Sequence, residues 1–138
     1  MGLTDIGASV IASALLGDSG YALFDNAHAA IGVGDDSTAF ATGQTKLSAE
    51  TNATSALRKG MNSTFPDRNP DDDGSENKTR YQVTFGTSEA NFHWQEWGIF
   101  NSATASGGQM LLRVVEDLGT KTSAGQWVFE IDIVVATS

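Results

Sequence analysis

Residues Asn91 to Asn101 read NFHWQEWGIFN, and this stretch decides the fold. It holds two of the three tryptophans and two of the seven phenylalanines. It begins as an alternating strand, with Phe92 and Trp94 on one face. Strict alternation would then place Glu96 and Gly98 on that face and move Trp97 and Ile99 to the other. A strand that loads both faces is buried on both sides or contains a bulge that resets the alternation. The expectation is a central strand with a break near Gln95 and Glu96, and a β scaffold built around it.

The flanking segments supply that scaffold. Downstream, Gln109 to Asp117 reads as a strand and Leu118 to Gly125 as a polar turn. Gln126 to Val135 then alternates cleanly, with Trp127, Phe129, Ile131, Ile133 and Val135 on one face and Glu130 and Asp132 on the other. Upstream, Lys78 to Phe85 sets Tyr81, Val83 and Phe85 opposite Arg80, Gln82 and Thr84. Residues 66–77, PDRNPDDDGSEN, hold both prolines and four aspartates, the composition of an exposed acidic loop. Ser55 to Phe65 reads as a strand with Leu57, Lys59 and Met61 on one side. Ala39 to Thr54 has no period beyond a helical turn near Leu47 to Asn52.

Ala27 to Gly34 is a strand of small residues, with Ala29, Ile31 and Val33 on one face. Its glycines predict that something packs very close to it. Residues 4–16 spell a helix. Thr4 caps it, Asp5 suits its positive end, and Gly17 suits the C′ position. Ile6, Val10 and Ala14, with Leu3, form the stripe expected to be buried. The fold expected is mainly β: a single antiparallel β-sandwich or compact β-barrel over residues 1–138, with a short N-terminal α-helix within residues 1–17.

Composition narrows the function classes. The chain has 138 residues and a net charge of −9, which argues against nucleic acid or an anionic membrane as a partner. Apolar runs are far shorter than the ~20 residues of a spanning helix. The N-terminal segment lacks a basic region and carries Asp5, so it reads as part of the domain rather than a leader. The absence of cysteine excludes thiolate metal sites, disulfides and cysteine nucleophiles.

Four motifs suggest chemistry, and each has a plainer reading. Gly17-Asp18-Ser19-Gly20 spells the tetrapeptide of a serine nucleophile, but both histidines follow it and a helix precedes it; a helix stop and turn explain it. Gly32-Val33-Gly34-Asp35 has Ser37 where the third glycine of a dinucleotide loop should stand. Asn69-x-Asp71-x-Asp73-Gly74 matches the first half of a calcium loop. Arg80 stands where the bidentate glutamate belongs, leaving Asp71, Asp73 and Glu76 as a candidate set beside the reading of a solvated hairpin tip. His28, His93 and Glu96 lack the spacing of metal ligands. Glu96, between two tryptophans, is expected to be buried. A buried carboxylate needs a partner, and Arg113 on a neighbouring strand is the one expected.

One resemblance remains. Trp94-Gln95-Glu96-Trp97-Gly98-Ile99-Phe100-Asn101, followed by a small-residue loop and Met110-Leu111-Leu112-Arg113, resembles tailed-bacteriophage virion proteins. Tail-collar and tail-fibre-like domains of that group carry a segment x-E-x-G-[IL]-F-[ND] that leads into a strand with an arginine. Ala30 to Asp35 with Thr38-Ala39-Phe40, and Leu118 to Ser123, fit the same resemblance. It implies a structural virion protein assembled in the host cytoplasm, without enzymatic activity or cofactor. A capsid decoration protein bound to the phage major capsid protein is the first reading, as a homo-oligomer with a trimer favoured. A tail-associated adaptor, collar or fibre-attachment protein is the alternative. Trp94, Glu96, Trp97, Phe100, Arg113 and Trp127 are then the structural or interface candidates. A carbohydrate-binding module or enzyme would instead need the tryptophans in an exposed groove.

Overall fold

The structure, a computed structural model, describes residues 2–74 and 76–136. Met1, Ser75 of the acidic loop and residues 137–138 lie outside the described residues. The elements in chain order are β1 (Gly2–Leu3), α1 (Asp5–Leu15), β2 (Ala30–Gly34), α2 (Ser48–Asn52) and β3 (Ala56–Gly60). They continue with β4 (Asp67–Arg68), β5 (Lys78–Phe85), β6 (His93–Phe100), β7 (Met110–Thr120) and β8 (Trp127–Val134).

Two antiparallel sheets form a β-sandwich with a short N-terminal helix. The larger has the order β1-β7-β6-β2-β3 and the smaller β4-β5-β8. The aromatic stretch is β6, flanked on both sides by hydrogen-bonded strands. Its register breaks between Trp94 and Glu96: Trp94 pairs with Gly119 but Glu96 with Val115. Two steps on β6 therefore face four on β7. This irregularity lets Trp94 and Trp97 both reach the space between the sheets while Glu96 turns to the opposite face.

That inner space is the main core. Ile31, Val33, Trp94, Trp97, Ile99 and Leu112 of the larger sheet meet Tyr81, Val83 and Phe85 of β5, with Phe129 and Ile131 of β8 packed against them. The aromatic rings lie edge to face: Trp94 is 5.0 Å from Phe85 and 4.9 Å from Trp127, and Trp97 is 5.4 Å from Phe129.

The other face of the larger sheet is also covered. Residues 35–54, including α2, lie across it, and Leu47 joins Phe100 and Met110 in a second, small core. The glycines of β2 make this possible. A Cβ on Gly34 would stand 2.6 Å from Glu96 Oε1 and 2.8 Å from the Ala49 side chain; one on Gly32 would stand 3.1 Å from Leu47. The close approach expected from this glycine-rich strand is made by α2 and its preceding residue.

Several expectations need correction. The strand expected over 55–65 stops at Gly60, and the chain then turns. Strand β7 runs to Thr120, so the turn expected from Leu118 begins only at Lys121. Val135 lies beyond β8 and is exposed. Helix α1 has the expected cap, with Gly7 N–H donating 2.9 Å to Thr4 Oγ1, and Gly17 follows at φ +67°. Its buried side is Gly7 and Val10, however, while Leu3 and Ala14 are exposed. The reason is a backbone approach: a Cβ on Gly7 would stand 2.1 Å from the Leu111 carbonyl oxygen, so the helix rests on β7 at its glycine.

Candidate functional site

The densest polar chemistry lies between the larger sheet and the segment 35–54. One row across that face runs Arg113 on β7, Gly98 on β6, Gly32 on β2 and Arg58 on β3. The two glycines leave room between two buried arginines. The next row brings Glu96 beside Gly34.

Glu96 and Arg113 are fully buried and paired, with Arg113 Nε donating to Glu96 Oε2. The backbone N–H groups of Ser48 and Ala49 donate to the same carboxylate at 3.0 and 2.7 Å. Arg113 directs its remaining nitrogens to Gln44 Oε1 at 3.2 Å and the Thr38 carbonyl at 2.8 Å. A buried ion pair offsets its desolvation only when further hydrogen bonds satisfy both partners, and here both carboxylate oxygens and all three guanidinium nitrogens are bonded. The pair thereby fastens α2 and the strap before it to the sheet.

Arg58 does the same at the other end of the row. Its guanidinium stacks 3.6 Å from the Phe100 ring centroid and donates to the Ser102 and Gly107 carbonyls at 3.1 and 2.7 Å. It also donates to Glu50 Oε2 at 3.2 Å. Burial pushes the Arg58 pKa down, and Glu50 works against that shift. Glu50 in turn accepts from the Leu47 and Ser106 N–H groups at 3.0 and 2.7 Å. A third buried cation, Lys121, donates to the Gly86 carbonyl at 2.7 Å and to Asn91 Oδ1 at 2.8 Å.

Each residue of the segment from Glu96 to Asn101 therefore has a definite contact. Gly98 leaves no room for a side chain, since a Cβ would sit 2.9 Å from the Leu112 carbonyl oxygen. Ile99 enters the main core and Phe100 the second. Asn101 accepts from Gln109 N–H at 2.6 Å and donates to the Ala22 carbonyl at 2.9 Å, closing the loop between β6 and β7.

The remaining sequence candidates are dispersed. His28 Nδ1 bonds Asp25 Oδ1 at 2.6 Å. His93 Nε2 bonds Asp117 Oδ1 at 2.7 Å, which holds the Asp117 carboxyl below the usual range. Neither joins Glu96, which is bonded to Arg113 and α2. Asp71 is bridged to Lys78 at 2.7 Å and Arg80 at 3.3 Å, and Glu76 lies 3.7 Å from Arg68. Among the described residues, Asp71, Asp73 and Glu76 do not make a metal-holding group, nor do any other three His, Asp or Glu side chains. Cations of β4 and β5 take up Asp71 and Glu76 instead. Ser19 lies in an exposed turn after α1.

Trp94, Trp97 and Phe100 are buried and Trp127 is half-buried against Trp94. Trp94, Trp97 and Phe100 are structural rings that this chain buries itself, so as exposed interface anchors they are misplaced; Trp127 keeps part of its surface exposed. The same burial leaves no platform of three exposed tryptophans for stacking on a sugar.

Sequence reasoning missed Arg58, Glu50 and Lys121. Glu50 carried one local signal, as the third residue of the helical turn expected after Leu47, where a carboxylate can cap. No protein-family model matches the chain, and no curated protein matches it.

Proposed function

We propose that the chain is a structural virion protein of a tailed bacteriophage, a capsid decoration protein that binds the major capsid protein and stabilises the shell. The observation that supports this reading is the single unit formed by the residues that carry the resemblance. Glu96 and Arg113 pair, Gly98 lets the chain above the sheet approach, and Asn101 closes the loop between the two strands. These residues build a rigid body, which is what an accessory shell protein requires.

The working surface then lies in the loops and exposed faces, and the reading assigns the chain neither catalysis nor cofactor. The tail-associated alternative is favoured by the same motif, since tail-collar and fibre-like domains carry it. Cryo-electron microscopy of the virion separates the two. Hundreds of copies distributed over the shell support decoration, whereas a few copies at the tail or collar overturn it in favour of the alternative. A chain absent from purified particles sinks both. Shells lacking the decoration protein are expected to rupture at lower temperature, and added purified chain should restore them.

A further inference from the structure

Helix α1 is apolar on two sides. Its inner side buries Gly7 and Val10. Its outer side carries Ala8, Ile11, Ala12 and Leu15, at the i, i+3, i+4, i+7 spacing by which one helix meets another. Leu16 follows, and all five are exposed, Leu15 at 84% and Leu16 at 86%. No charge occurs between Asp5 and Asp18. Beside the helix lies an apolar cleft of about 210 Å³, lined in part by Ile11, Ala14, Leu23, Phe24 and Tyr81. A helix that is apolar on both sides is normally buried on both.

We propose that a second copy of this chain covers this face, α1 lying antiparallel on α1 about a two-fold axis between Ile11 and Ala12. That axis sets Ala8 opposite Leu15 of the second copy and Ile11 opposite Ala12, so Ile11 and Leu15 each meet an alanine. An isologous contact requires such self-complementarity. The antiparallel arrangement also opposes the two helix dipoles. The rest of the surface favours the same choice. Three of the eight cations, Arg58, Arg113 and Lys121, are buried in a chain of net charge −9. Two copies therefore repel over most of their surfaces and least across this face, whose carboxylates, Asp5 and Asp18, stand only at its ends, while a basic partner would be drawn elsewhere. The exposed side chains offer roughly half of the ~800 Å² per partner of a standard interface, which places the pair in the weak, concentration-dependent class.

This inference does not rest on the virion reading. A chain that pairs in solution yet is missing from particles would sink that reading alone. It also gives two copies rather than the three that capsid symmetry favours. The test is sedimentation equilibrium of the full chain at low and high salt. The expected result is a dimer that tightens with salt, because the flanking acids and the net charge are screened. Leu15→Glu should weaken pairing by about tenfold or more while the melting curve of the monomer is kept, Leu15 being solvent-exposed. Because the chain has no cysteine, Ala12→Cys should give a disulfide-linked dimer on mild oxidation, and Thr51→Cys should not. A monomer at every concentration, a trimer, or a Leu15→Glu variant that pairs as tightly as its parent would overturn the proposal.

Discussion

The two faces of the five-stranded sheet are made by the same strands and stabilised by different physics. The inner face is large and apolar, with interlocking rings of Trp94, Trp97, Phe85 and Phe129. The outer face combines glycines, buried charges and a small apolar cluster of Leu47, Phe100 and Met110, and a long strap lies on it. On the inner face, stability follows volume and area and tolerates conservative repacking. On the outer face, each charge depends on a particular partner, so a change that preserves volume can still be severe. The first kind of core holds two sheets together. The second holds an irregular segment in one conformation.

Substitutions can break that contrast. Trp94→Ala is expected to have the largest effect, about 3–5 kcal/mol by chemical denaturation, whereas Trp94→Phe should cost clearly less. Glu96→Gln preserves size and is nevertheless expected to cost about 3 kcal/mol, because it leaves the Arg113 charge buried without a counter-charge. Combining Glu96→Leu with Arg113→Met should recover much of that loss. If Glu96→Gln were nearly neutral, the two faces would not differ in the way described. Gly34→Ala should cost about 1–3 kcal/mol by pushing Glu96 and Ala49 apart, and amide exchange should quicken in α2 before it quickens in β5.

Titration sharpens the comparison further. Burial raises the Tyr81 pKa to about 12, from a reference near 10. The folded state thus keeps a proton that the unfolded state releases. This contribution is complete below pH ~10 and is lost as pH rises towards 12, on the order of 2 kcal/mol. Tyr81→Phe should remove that part of the alkaline decline, measured as the difference in unfolding midpoint across this range. The smallest effect belongs to the surface. Arg80 holds the Asp132 carboxyl below its usual range. Its stabilisation is present above the ordinary carboxylate pKa and disappears as pH falls through the lowered value. Asp132→Asn should therefore differ slightly from the parent at pH 7 and converge with it in acid.

Much of this was legible from local pattern. Period-two alternation located β5 and β8 within a residue or two, because one face of each is more buried than the other. The break at Gln95 and Glu96 was readable because Trp94 and Trp97 cannot share a face of a regular strand. Glu96 required a partner because a carboxylate among aromatics must be compensated, and Arg113 was the cation at hand on an adjacent strand. Arg58 and Lys121 were not readable, since a cation inside a polar stretch looks the same whether it meets solvent or a carbonyl. Asp71, Asp73 and Glu76 fitted both half of a calcium loop and a solvated hairpin tip, and only the structure places Lys78 and Arg80 on Asp71 and Arg68 on Glu76.

By itself the sequence determined the β class, the capped N-terminal helix, the aromatic central strand and the need of Glu96 for a counter-charge. These follow from short-range sterics and from the cost of burying polar groups, both of which act on neighbouring residues. Only the tertiary structure decided that β2 is buried on both faces, that residues 35–54 form a strap held by Arg113 and Glu96, and that the outer side of α1 is left uncovered. Those outcomes depend on which segments, tens of residues apart, come to lie within hydrogen-bonding distance, and local pattern carries no record of that.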